Sequence, residues 1–165
     1  MKLILPLLFF FASLHQAVEE TVTVKCMIQM TEYRGEGAYM VFSIVDDQNA
    51  YTTIVYVLGS DKTWFSDMKA FWKHLRENNS YNDEDFYPLV DGISGATIGG
   101  NQRRTLQFQI PKKYIDQNRF LRIETAVEDK GYYQDDVRIP LTSVGLNQSY
   151  TGEGFVQRIQ LMIKQ

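Results

Sequence analysis

A period of two governs this chain. From Thr21 onward, apolar and polar residues alternate in one short stretch after another, the pattern of strands with one wet face. Val22, Val24, Cys26, Ile28 and Met30 share one side of the first stretch, with Thr21, Thr23, Lys25 and Gln29 opposite. Tyr39–Asp46 is nearly all apolar, which fits a central strand. After the turn signal Asp46-Asp47-Gln48-Asn49, Tyr51–Leu58 returns as its hairpin partner. Leu106, Phe108 and Ile110 alternate up to Pro111. Leu121–Val127, Val137–Leu141 and Phe155–Ile163 supply three more strands. One segment breaks the pattern: Met68, Phe71, Trp72 and Leu75 fall at helical spacing, with Asp61 or Ser66 as candidate caps and an end near Asn78-Asn79. Ten Phe and ten Tyr suit half-buried strand faces. The pattern predicts an all-β fold, a two-sheet immunoglobulin-like β-sandwich with one short inserted helix and a long functional loop over residues 78–103. The cysteine-tryptophan hallmark of true immunoglobulin domains is missing.

At 165 residues the chain allows one domain with a real core. Met1-Lys2 followed by the apolar run Leu3–Leu14 reads as an export signal over residues 1–17, too short to span a bilayer. The rival reading is an uncleaved N-terminal anchor. Residues 18–165 then form a single domain of periplasmic or extracellular location, with no stable membrane span after signal cleavage. Cys26, the sole cysteine, sits in strand register and reads as a buried apolar residue. Loss of residues 1–17 removes one charge, Lys2, and takes the net from −3 to −4. That mild acidity, with no basic run along the chain, argues against nucleic acid or an anionic membrane surface as partner.

Chemistry concentrates in Val90-Asp91-Gly92-Ile93-Ser94-Gly95-Ala96-Thr97-Ile98-Gly99-Gly100. Gly95 and Ala96 leave almost no side-chain bulk, so another molecule can approach the backbone closely. Thr97 then presents a hydroxyl on a stiff β-branched side chain. These residues resemble the acceptor motif of periplasmic flavin transferases, in which an Asp, two variable residues, Ser or Thr, Gly, Ala and a final Thr or Ser are required. Asp91, Ser94, Gly95, Ala96 and Thr97 match it in full. The resemblance implies FMN joined through its phosphate to Thr97, with Asp91 and Ser94 serving recognition. A magnesium-dependent flavin transferase would supply the FMN unit from FAD, and a membrane oxidoreductase or other redox partner would exchange electrons. Five constrained positions recur by chance in roughly one chain per thousand of this length. A plain Ser-Gly turn with no ligand is the other reading.

A second resemblance covers most of the domain. An N-terminal strand, the hairpin Ala38–Gly59, a helix region bearing Trp64 and Phe71-Trp72, the Ser-Gly-Ala-Thr loop and Glu124, Glu128 and Gly131 are similar in order to a family of predicted periplasmic proteins of unknown function. Members often occur beside flavin transferases and membrane electron-transfer components. They commonly carry a Trp-Asp-Gly and a Gly-rich turn after the Ala-Thr, where this chain reads Leu106-Gln107-Phe108-Gln109-Ile110-Pro111.

The remaining candidates are weaker. Phe71 and Met68 read as core, while Tyr81, Phe86 and Tyr87 are the stacking candidates for a flavin ring. Asp83-Glu84-Asp85, Glu128-Asp129 and Asp135-Asp136 read as solvated turns rather than a cation site. His74, the one histidine left after signal removal, reads as exposed on its helix, and no nucleophile elbow is present. The chain is therefore expected to act as an electron carrier without catalytic residues of its own. The alternative is an exported immunoglobulin-like binding module with no cofactor.

Overall fold

A computed structural model describes residues 19–59, 61–78 and 94–164. Among the described residues, nine strands and one α-helix follow one another as β1 (Thr21–Met30), β2 (Tyr39–Val45), β3 (Tyr51–Leu58), α1 (Lys69–Glu77), β4 (Ser94–Gly95), β5 (Arg103–Pro111), β6 (Phe120–Val127), β7 (Gly131–Pro140), β8 (Ser149–Tyr150) and β9 (Val156–Ile163). They form a two-sheet sandwich, a four-stranded sheet in the order β5-β1-β9-β8 and a five-stranded sheet in the order β4-β3-β2-β6-β7. All pairings are antiparallel except the short β3–β4 pair.

The core follows from the alternation. Val24, Cys26, Ile28 and Met30 turn inward from β1 and pack with Leu106, Phe108 and Ile110 of β5 against Met40, Phe42 and Ile44 of β2 and Leu121 and Ile123 of β6. Burial pushes the Cys26 thiol up, so it behaves as a small apolar group. β2 is apolar on both faces because its other side is covered as well. Val41, Val57 and Ala126 pack under Phe65, Met68, Phe71 and Leu75 of the helical segment. A short 3₁₀ turn over Lys62–Asp67 leads into α1, and Asp61 caps that turn by accepting from the Thr63 N–H at 2.9 Å. The β2–β3 turn is closed by Asp46, whose carboxylate accepts from the N–H groups of Gln48 and Ala50, while Asn49 adopts a φ of +66°.

Three parts of the sheets escape the sequence pattern. β4 and β8 are two residues each, too short for a period to register. β7 begins at Gly131 rather than Val137, and its first half does not alternate cleanly because its register against β6 shifts between Ile123 and Thr125. Residues 1–17, Asp83–Asp85 and the aromatics Tyr81, Phe86 and Tyr87 lie outside the described residues. Among the described residues, no helix is long and apolar enough to cross a membrane.

Candidate functional site

The described part of the long loop is an ordered edge of the five-stranded sheet. Ser94 and Gly95 pair in parallel with Val57 and Leu58, and the Gly59 N–H donates to the Gly95 carbonyl at 2.7 Å. A Cβ on Gly95 would stand 3.1 Å from the Tyr56 hydroxyl, so this close approach favours the absence of a side chain. Ser94 and Ala96 are exposed, and the Ala96 carbonyl accepts from the Arg104 guanidinium. Ile98 is buried in the core and exchanges backbone hydrogen bonds with Ala38 at 2.7 and 3.3 Å. Tyr33 locks this bridge: its hydroxyl donates to the Ile98 carbonyl at 2.7 Å and accepts from the Ala38 N–H at 3.2 Å. Asp91 lies outside the described residues.

Thr97 is thereby held between an exposed alanine and a buried isoleucine, itself half-buried. It lines a small cleft with Glu36, Gly37, Tyr39, Trp64, Asp67, Ala126 and Glu128. Gly37 faces it directly, because a Cβ there would stand 2.6 Å from Thr97 Oγ1. The cleft is acidic. Tyr39 has its phenol pushed up by burial, then by the negative charges of Asp61, Glu128 and Glu36. A volume of about 80 Å³ is well below that of a pocket enclosing a drug-sized ligand. The cleft shares Trp64, Asp67 and Glu128 with a wider groove of about 400 Å³ that continues to Lys69, Lys130 and Tyr132. A flavin ring therefore does not fit inside the small cleft. A chain tethered at Thr97 has room to run out of it, with Trp64 at the junction of the two spaces. Among the described residues, no three His, Cys, Asp or Glu side chains group to hold a metal ion.

A second polar cluster, which sequence reasoning missed, joins the helix to the sheet. Arg122 and Glu124 on β6 are fully buried and paired at 2.9 Å. Glu124 also accepts from the Tyr51 hydroxyl, from the Tyr132 hydroxyl at 2.8 Å and from the Phe71 N–H at 3.2 Å. The Tyr132 hydroxyl accepts in turn from the Ala70 N–H at 3.0 Å, so two free N–H groups in the first turn of α1 are satisfied from the sheet. Burial pushes the Glu124 carboxyl up to about 8, against the pull of the Tyr132 and Phe71 donors. The signal was present in the sequence: two opposite charges at i and i+2 inside a mostly apolar strand share one face and call for a partner.

Two expectations are corrected. His74 is half-buried rather than exposed. Its ring stacks on Tyr51 with centroids 4.3 Å apart, and burial holds its pKa below the usual histidine value. Asp136 is not a solvated turn residue either. It is fully buried and its carboxylate accepts from Thr125 Oγ1 at 2.6 Å and from the N–H groups of Gly154, Phe155 and Val156 at 2.8, 2.8 and 3.0 Å. The irregular register of β7 places it there, where it pins the turn that enters β9 to the opposite sheet.

The fold and its edge loop define a class, an all-β sandwich domain with an exposed Ser-Gly-Ala segment leading to a half-buried threonine. Residues 21–158 match the family DUF2271, described as predicted periplasmic proteins, and the chain belongs to that family. The family places it outside the cytoplasm. No curated protein and no solved structure matches the chain.

Proposed function

We propose that the protein is an exported electron carrier that holds FMN as a phosphoester on Thr97. The observation that carries this reading is the setting of Thr97. Its side chain lines an open cleft next to Gly37, and the residues just before it, Ser94 and Ala96, are exposed. A modifying enzyme can thus reach the segment without unfolding the core.

The acidic cleft favours a covalent tether over simple binding. Glu36, Asp67 and Glu128 line the same space as Thr97, and an anionic flavin phosphate gains nothing from three nearby carboxylates. In the transfer, Thr97 Oγ forms a bond to the phosphorus of the FMN half of FAD. The phosphoanhydride bond breaks, AMP leaves, and the threonine proton passes to the transferase. Once attached, the flavin supplies redox chemistry that no side chain offers, and the protein supplies attachment and orientation. Trp64 and the groove toward Lys130 are the surface on which the ring would rest.

Co-expression with a periplasmic flavin transferase tests the reading. The expected product is a yellow protein heavier by one FMN less water, with the gain lost in Thr97→Ala and retained in Thr97→Ser. Colourless protein of unmodified mass beside a transferase that labels its usual substrate would overturn the proposal and leave the cofactor-free binding module.

A further inference from the structure

β1, β5, β8 and β9 contain no aspartate or glutamate, yet they carry Lys25, Arg103, Arg104 and Arg158, with Lys164 directly after β9. The order β5-β1-β9 gathers Lys25, Arg103, Arg158 and Lys164 on the outer side of the four-stranded sheet, while Arg104, paired with the core-facing Ile28, lies on the other side and bonds the Ala96 carbonyl. Register places Arg103, Gln29 and Arg158 in one row across the three strands, Thr105, Met27 and Gln160 in another, and Gln107, Lys25 and Met162 in a third. These rows point outward because the alternate residues Cys26, Ile28, Leu106, Ile159 and Leu161 fill the core. From Lys25 to Gln29 the face runs about 13 Å, and it is roughly 10 Å across the three strands.

Lys25, Arg103, Arg158 and Lys164 are exposed, and among the described residues none of them has a carboxylate partner, in a chain whose net charge is −3. Two shallow grooves of about 380 and 470 Å³ cross the face and meet at Thr105. Met27 stands at its centre, 37 % exposed, between the arginine row and the lysine row. We propose that this face is a docking surface for an acidic protein partner, whatever Thr97 carries.

The chemistry selects that occupant. Met and Arg are enriched and acidic residues depleted at interfaces between proteins, and the outward rows hold Met27, Met162, Arg103 and Arg158 with no acid among them. Lipid surfaces recruit aromatic anchors, and the outward rows contain no Trp, Tyr or Phe. A symmetric pairing of two copies through this face would set its cations against the cations of the other copy, which opposes a homodimer. Unpaired surface cations on a flat sheet steer an acidic partner and speed its arrival.

The test is a titration of the purified protein with poly-L-glutamate, followed by NMR amide shifts. Shifts are expected on β1, β5 and β9, with affinity falling as salt rises. The double variant Arg103→Glu/Arg158→Glu should weaken binding by about tenfold or more, because charges on an interface rim set the association rate. Both side chains are exposed, so the melting temperature should hold. Lys73→Glu/Arg76→Glu on α1 should bind as the wild type does. Shifts centred on α1, or no salt-dependent binding, would overturn the proposal. So would co-sedimentation with phosphatidylglycerol vesicles that the double variant abolishes, which assigns the face to lipid. A dimer in sedimentation equilibrium that the same variant dissociates would assign it to a second copy.

Discussion

Asp136→Asn isolates one buried carboxylate and the turn it holds. In the wild type, Oδ2 accepts from Thr125 Oγ1, Phe155 N–H and Val156 N–H, and Oδ1 accepts from Gly154 N–H. Asparagine keeps the shape but has one acceptor oxygen. In its best orientation that oxygen serves Phe155 and Val156, and the amide NH₂ faces the Gly154 N–H. One half-buried donor, the Gly154 N–H, is orphaned at about 1–3 kcal/mol, and the surviving bonds lose the strength that charge lends them. The total loss is about 2–4 kcal/mol, a large share of the roughly 5–15 kcal/mol that holds a domain together. Urea denaturation should show a lower midpoint with an unchanged slope, since the surface exposed on unfolding is the same. The melting temperature should fall by roughly 5–15 °C. Hydrogen exchange should locate the damage: the Gly154 amide loses protection first, while the core strand β1 loses it only with global stability. A loss below about 0.5 kcal/mol would refute the reasoning, because it would place the cost of disrupting the buried Asp136 network within the range of an ordinary surface substitution.

Tyr33→Phe removes the two hydrogen bonds its hydroxyl makes to the Ala38–Ile98 bridge and leaves the two backbone bonds in place, so about 1–3 kcal/mol of stability should go, with the Ala38 and Ile98 amides exchanging faster. Gly37→Ala sets a methyl 2.6 Å from Thr97 Oγ1 and should cost about 1–3 kcal/mol of overpacking. In co-expression with the transferase it should also slow the mass gain, since a hydroxyl displaced by about 1 Å can lose two orders of magnitude in rate. His74 titrates below its usual pKa because burial disfavours its charged form, so it binds its proton less readily folded than unfolded. Its contribution to stability is complete above the ordinary histidine value and is lost as pH falls through that value toward the folded one. Glu124, raised by burial to about 8, pulls the other way by gaining stability as pH falls through the same window, so the check is a difference: in thermal melts from pH 8 to pH 5, wild type should lose stability relative to His74→Gln as pH falls.

Much of the fold was legible because burial writes its period into the residues. The alternation of β1 and β5 and the unbroken apolar run of β2 report one-sided and two-sided burial, and Met68, Phe71 and Leu75 report a helix lying on a sheet. The motif residues Ser94–Thr97 were legible too, because small residues before a hydroxyl form a local pattern. Their surroundings were not. Gly37, Trp64, Asp67 and Glu128 reach Thr97 from three other segments, and no spacing in the chain announces that meeting.

The same division separates the other outcomes. Local patterning determined the longer strands apart from the first half of β7, that Cys26 is core, and that a hydroxyl follows Ser-Gly-Ala. Tertiary structure alone decided that His74 leans on Tyr51, that Asp136 lies inside, and that Lys25, Arg103 and Arg158 share one acid-free face. Strand periodicity records whether a residue is wet or dry, a property of its own two neighbouring layers. Pairing partners and strand order depend on contacts between segments far apart in the chain, and those contacts leave no period to read.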